Sequence, residues 1–422
     1  MKHTAALPAT MTWGGCAVVC MVCALLLASC ASPSRKEAVP TALADRASVF
    51  NDPSIRTWDD TLSPAFLERI FDAGKKEFDL RSAAGQAGPL PTAYFLGISG
   101  GGANGAYGAG LLCGWTAAGT RPEFKIVTGI STGALTAPFA FLGPAYDDKL
   151  RRVYTSVTTD QVATSRNLLA ALFDDAMMDT LPLRKLLIQL VDKQMMLEIA
   201  REYARGRILM VATTNLDANR GVIWNIGQIA ASNDPKALDL IHDILIASAA
   251  IPGAFPPVMI GVEIDGKEYQ EMHVDGGTKA QVFLYPPTFT LKSAVAAQGF
   301  DRQRVAYIIR NARLDPDWAS VQRRTLSIAG RAIASLIQTQ GVGDLYRIYL
   351  VLRRDGVAFN LAFIPPTFNA KQAEDFDPVY MTKLFNLGYE RAAAPGGYPW
   401  STRPPGFIEA TGTPAADDVQ AK

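Results

Sequence analysis

The spacing of apolar and polar positions changes several times along the 422 residues. Residues 94–98 and 124–127 are short apolar runs of strand character, and each leads into a glycine-rich turn, Gly100 to Gly105 and Gly129 to Gly133. Beyond each turn the chain is rich in Ala, Leu and Gly at helical spacing. Strand, tight turn and helix, twice over, predict an α/β fold with a mainly parallel sheet, whose chemistry lies in the turns past the strands' carboxyl ends.

The same pattern carries the rest of the chain. Leu62, Phe66, Leu67, Ile70 and Phe71 predict a helix over 61–79, opened by Ser63 and Pro64. Residues 147–202 read as mostly helical, with an apolar stripe through Leu183, Leu187, Leu190, Val191 and Met195. Strands are expected at 207–214 and 220–226, joined by a turn that contains Asp217. A helix is expected over 235–250, followed by a hairpin of 258–264 and 268–274 about Asp265-Gly266. A strand over 305–310, a helix over 325–338, a strand pair over 346–352 and 357–363, and a helix over 381–394 complete the series.

Two turns carry candidate chemistry. Gly129-Ile130-Ser131-Thr132-Gly133 fits G-x-S-x-G, a strand-to-helix elbow that exposes a serine where the helix dipole favours negative charge. Gly100 to Gly105 satisfies G-x-G-x-x-G, yet the acidic residue a dinucleotide needs at the end of the next strand is missing there, because Glu123 precedes that strand. What remains is a row of backbone N–H groups free of side chains, the form of an oxyanion hole.

A serine nucleophile needs a base, and the chain has three histidines, His3, His242 and His273. A Ser…Asp…His order would end on His273. It stands two residues before Asp275-Gly276-Gly277, so one strand would carry both side chains on one face. Asp275 itself is the more economical base, with two glycines making room beside its carboxylate.

The glycine turn, the Gly-x-Ser-x-Gly elbow and the Asp-Gly-Gly triplet, in this order, resemble the patatin-like phospholipases over about residues 93–277, with a tail to about 394. The resemblance implies a three-layer α/β hydrolase with a mainly parallel central sheet flanked by helices. It also implies a Ser–Asp dyad without histidine: Ser131 as nucleophile, Asp275 as base, and the amides of Gly100, Gly101 and Gly102 as oxyanion hole, with no cofactor and no metal. The implied activity is hydrolysis of phospholipid or related lipid esters. One departure is Asn104, where many members carry Lys or Arg. The alternative is a non-catalytic lipoprotein that keeps the fold as an envelope binding or scaffolding module.

Composition places the chain in a compartment. Lys2 and His3 precede an apolar stretch from Cys16 to Leu27, too short to span a bilayer and suited to a signal peptide. Leu27-Ala28-Ser29-Cys30 resembles a bacterial lipobox, which implies cleavage before Cys30 and lipid attachment to its sulfur. Ala31, not aspartate, follows, which favours the outer membrane. Without residues 1–29, which hold one basic residue and no acidic one, the balance is 40 basic against 40 acidic. Such neutrality gives no footprint for nucleic acid. Cys16, Cys20 and Cys23 leave with the leader, so a disulfide framework is excluded and stability must come from a core. The expected organisation is a signal peptide over 1–29, a tether over 30–60, a helical extension over 61–92, a catalytic domain over 93–394 and a loose tail over 395–422.

Overall fold

The structure, a computed structural model, describes residues 35–86, 88–162, 164–165, 176–298 and 302–408. Among them nine strands form one sheet: β1 (Arg56–Trp58), β2 (Ala93–Ile98), β3 (Phe124–Gly129), β4 (Ile208–Asn215), β5 (Arg220–Asn225), β6 (Val258–Ile264), β7 (Lys267–Asp275), β8 (Arg304–Arg310) and β9 (Ala358–Phe363). Their spatial order is β1-β5-β4-β3-β2-β8-β9, with β7 laid against the outer part of β4 and β6 against β7. The five central strands β4, β3, β2, β8 and β9 are parallel, and the remaining pairings are antiparallel. The fold is therefore α/β with a mixed, mostly parallel sheet.

Alternation along the strands divides the interior in two. Leu96 and Ile98 of β2 and Ile309 of β8 face one core with helices α2 (Gly105–Ala117), α3 (Thr132–Leu142) and α7 (Ala237–Ala249). Ala93, Phe95, Ala306 and Ile308 face the other, against α8 (Thr325–Arg354). Helix α1 (Pro64–Ala83) covers the β4 end of that second face through Phe66 and Ala73. Ser63 caps α1 by accepting from the Phe66 amide at 3.2 Å. The remaining helices of the first layer are α4 (Asp147–Ser156), α5 (Leu181–Leu190), α6 (Lys193–Ala204) and α9 (Pro378–Ala393). Buried α2 touches α9 backbone to backbone: a Cβ at Gly110 would lie 1.9 Å from the Phe385 carbonyl oxygen. Only glycine permits that approach.

The strand expected over 346–352 is instead the second half of α8. Leu345, Ile348, Tyr349 and Leu352 are buried together at helical spacing, and the helix runs on through Gly341 and Gly343, so β-favouring side chains yield to the burial pattern. The tether expected over 30–60 is packed from Arg35 onward. Arg35 pairs with Asp217 at 2.7 Å, and β1 joins the sheet edge at β5. Buried Arg56, ion-paired with buried Glu271, holds β1 there. The tail expected over 395–422 is likewise packed in its first part: Tyr398 is buried and Ser401 pairs with Leu361 of β9. The leader and Cys30 lie outside the described residues. In the 147–202 region Leu183, Leu187, Val191 and Met195 are core, while residues 164–165 and 178–179 pair as a small ribbon instead of helix.

Candidate active site

Both glycine turns sit at the carboxyl ends of adjacent parallel strands, the first after β2 and the second after β3. Ser131 caps α3 with φ 55° and ψ −128°, a backbone region costly for a residue with a side chain. Its glycines are demanded by packing. A Cβ at Gly129 would stand 2.4 Å from the Gly133 carbonyl oxygen, and one at Gly133 would stand 2.3 Å from that of Ile98. The elbow is thus wedged between its own helix and the neighbouring strand, and Ser131 stands at its apex.

Asp275 ends β7, which crosses the outer part of β4 with Asp275 opposite Thr213. That crossing carries the Asp-Gly-Gly triplet to the elbow from over a hundred residues away. Burial pushes the Asp275 carboxyl up to about 6, opposed by hydrogen bonds from the Ser131 hydroxyl and the Gly277 amide. The Gly277 amide donates to Asp275 Oδ1 at 2.6 Å. Ser131 and Asp275 are both buried in this site, and the serine hydroxyl acts on the carboxylate in the direction opposite to burial.

The first glycine turn behaves differently at its three positions. The Gly100 amide donates to the Gln281 carbonyl at 3.1 Å, so it is spent on the fold and is not available to a ligand. This corrects the expectation for Gly100. Gly101 and Gly102 lead into the single 3₁₀ turn Gly102–Asn104, where the first backbone donors of a helix have no acceptor within it. Gly101 has φ 154°, and a Cβ there would lie 2.3 Å from the Asn311 carbonyl oxygen. Asn104 does not face the site as a free group: its Oδ1 accepts from the Tyr380 hydroxyl at 2.7 Å.

Neither described histidine joins Ser131. The His273 ring meets the Thr213 hydroxyl at 2.9 Å and Glu271 at 3.1 Å, so both nitrogens are committed. Burial lowers its pKa, against the pull of Glu271. His242 is buried on α7 with Nε2 2.7 Å from the Val191 carbonyl. Asp217 serves its turn, accepting from the Met272 amide at 3.0 Å as well as from Arg35.

Three supporting residues carry no motif. Ser248 of α7 accepts from the Ser131 amide at 3.0 Å and donates to the Ala212 carbonyl at 2.7 Å. Asn311, just past β8 and fully buried, donates from its backbone to the Ser99 hydroxyl and from its side chain to the Ser99 carbonyl, and accepts from the Gly108 amide. Gln281 donates to the Gly277 carbonyl at 2.8 Å and to Gln340 of α8 at 3.0 Å. A polar residue ending an apolar strand was the only trace of Asn311 in the sequence. Ser248 lies among alanines near the end of α7, and no motif marks it there.

Residues 96–286 match the family model described as patatin-like phospholipase. No curated protein matches the chain. Among solved structures, VipD from Legionella pneumophila is similar at 13% identity and a TM-score of 0.35, covering 71% of this chain and 66% of its own. Human GIVD cytosolic phospholipase A2 is similar at 11% identity and a TM-score of 0.29, covering 67% of this chain and 51% of its own. The chain thus spans less than two thirds of the length of either. Both glycine turns, Ser131 and Asp275 lie inside the segment, residues 96–286, that matches the patatin-like phospholipase family model.

Proposed function

We propose that this protein is a serine-dependent acyl ester hydrolase acting on phospholipid or related lipid esters. The carrying observation is the strained elbow that presents Ser131 beside the buried Asp275 at the end of β7, whose carboxyl burial pushes up to about 6. A desolvated carboxylate with that pKa is a competent base near neutrality, where an ordinary aspartate is too weak. In this mechanism Asp275 takes the Ser131 proton as the hydroxyl oxygen attacks the acyl carbon. Negative charge on the carbonyl oxygen falls to the amides of Gly101 and Gly102 and the N-terminus of α3. Asp275 returns the proton to the leaving alcohol, and water, deprotonated by the same carboxylate, releases the fatty acid and restores Ser131. The family supports lipid acyl hydrolysis in general, and the dyad and its donors are our assignment. We also place the protein in a bacterial envelope, bound to membrane through a lipid on Cys30.

The test compares wild type, Ser131→Ala and Asp275→Asn on a soluble nitrophenyl ester and on phospholipid vesicles. Turnover lost in both variants with folding retained by circular dichroism is expected. Turnover surviving Ser131→Ala would assign the nucleophile elsewhere. A wild type inert on both substrates would move the protein to the scaffolding alternative.

A further inference from the structure

Helix α8 has two unlike halves. Its second half packs on the sheet through Leu345, Ile348 and Leu352. Its first half touches the 313–317 segment through Arg331 and Gln338, yet among the described residues Ile328, Ile333, Leu336 and Ile337 stay 40–70% exposed, although a soluble surface would place polar residues there. Trp318, on the segment leading into the helix, is 87% exposed.

The position of this half follows from topology. α8 connects the parallel neighbours β8 and β9, so it runs back against the strand direction and starts beyond their carboxyl ends. Gln340 accepts from Gln281, which also bonds the Gly277 carbonyl next to Asp275. Gln340 therefore marks the level of the dyad. The 16 residues from Thr325 to Gln340 extend roughly 24 Å outward from there at about 1.5 Å per residue.

Charge identifies the occupant. From Trp318 to Gly343 the chain holds Arg323, Arg324 and Arg331 and no acidic residue; Arg331 pairs with Asp317 at 3.6 Å, which leaves Arg323 and Arg324 to set the charge of this stretch in a protein whose formal net charge is only +1. Apolar side chains, an exposed tryptophan and basic residues are the composition of a helix that lies in a membrane interface. Each arginine near an anionic surface adds about 1 kcal/mol. Among the described residues no helix is long and apolar enough to cross a membrane, so α8 would lie on the bilayer and not span it.

We propose that the segment from Trp318 to Ile337 is an interfacial docking arm. It inserts its apolar side chains among the lipids of an anionic bilayer and sets the mouth of the Ser131 site on that surface. This deepens the lipid-hydrolase proposal, and its test reads docking separately from catalysis. Full-chain protein is mixed with phosphatidylcholine vesicles, with and without phosphatidylglycerol, that carry a doxyl-labelled quencher lipid. The difference in emission between wild type and Trp318→Phe isolates Trp318 from the other tryptophans.

The expected result is a blue-shifted, quenched Trp318 signal, stronger with phosphatidylglycerol. Ile333→Glu combined with Leu336→Glu, both on exposed positions, should abolish that quenching. The pair should also slow hydrolysis of vesicle lipid by about tenfold or more, while turnover of the soluble ester and the thermal midpoint stay at wild-type values. A Trp318 signal unquenched on both vesicles overturns the proposal. So does a doubled mass by light scattering that the paired substitution returns to a single copy, because the arm would then pack against a second chain. Quenching without hydrolysis of any substrate would leave the docking arm standing and defeat the catalytic assignment.

Discussion

Ser248 holds Ser131 by the backbone: its hydroxyl accepts from the Ser131 amide at 3.0 Å and donates to the Ala212 carbonyl at 2.7 Å. The elbow is thereby tied to α7 and to β4 at once, and the strained conformation of Ser131 is over-determined by its surroundings. Ser248→Ala would leave a buried N–H and a buried carbonyl without partners. A stability loss of about 1–3 kcal/mol is expected. Because the Ser131 dihedrals relax with it, kcat should fall under the proposed mechanism while KM changes little. Chemical denaturation and steady-state kinetics on a soluble ester check both.

Asp275 should impose a pH limb on catalysis. With its carboxyl near 6, kcat/KM should rise tenfold per pH unit below that value and level off above it. A profile flat down to pH 4 would remove Asp275 from the role of base.

The same shift has a cost in stability whose sign is opposite to that of a salt-bridged aspartate. The native carboxyl keeps its proton up to about 6, whereas an unperturbed one releases it near 3.8. Between those values the native state binds more protons, so stability falls as pH rises, by roughly 3 kcal/mol in all. Asp275→Asn should therefore raise the melting temperature at pH 8 and have little effect at pH 4. Calorimetry at the two pH values gives the answer.

The two glycines of the turn should respond unequally to alanine. At Gly101 a Cβ meets the Asn311 carbonyl oxygen at 2.3 Å, so the turn must move, and an oxyanion donor moves with it. A loss of roughly 10²–10³ in kcat is expected. At Gly102 no atom lies within 4 Å of the Cβ, and only its φ of 54° resists, at about 1–2 kcal/mol. Gly102→Ala should keep most activity, since its amide stays in place.

Arg56 and Glu271 form a buried ion pair linking the N-terminal strand to β7, with Nη2 to Oε1 at 3.0 Å. Against burial, Arg56 and His273 hold the Glu271 carboxyl down to about 2. Arg56→Met alone would strand that charge and should destabilise by about 3–5 kcal/mol, and Arg56→Met with Glu271→Met should recover much of the loss. A double-mutant cycle by urea unfolding measures it. The pair's contribution is full above pH 4.5 and declines as pH falls toward 2.

The backbone frame of the candidate site was legible in the sequence wherever local geometry dictates residue type. The elbow needs its glycines because Gly133 abuts Ile98, and the two strand–turn–helix units are written as apolar run, glycines and helical run. Support from a distance was not legible. Ser248 and Asn311 act through contacts 117 and 212 residues apart, which no local pattern encodes. Gly100 shows the same limit, since its amide looks free until Gln281 arrives from far along the chain. Tyr346 to Leu352 misled because β-favouring side chains matched a strand while their burial followed a helix.

Arg35, clamped to Asp217, has a mechanical consequence. Asp217 follows Asn215, the end of β4, and β4 reaches four residues past the level of Gly129, on the side where Ser131 opens. A lipid on Cys30 would hang from this point on a leash of five residues, at most about 17 Å when taut. With Cys30 lipidated as we propose, a span of that length would allow little retreat from the membrane. Under the proposed activity and anchor, the protein would graze the bilayer and meet its substrate by lateral diffusion in two dimensions and not by encounter from solution. Inserting a flexible spacer between Cys30 and Arg35 would turn grazing into intermittent landing, with the length of a few residues setting the duty cycle.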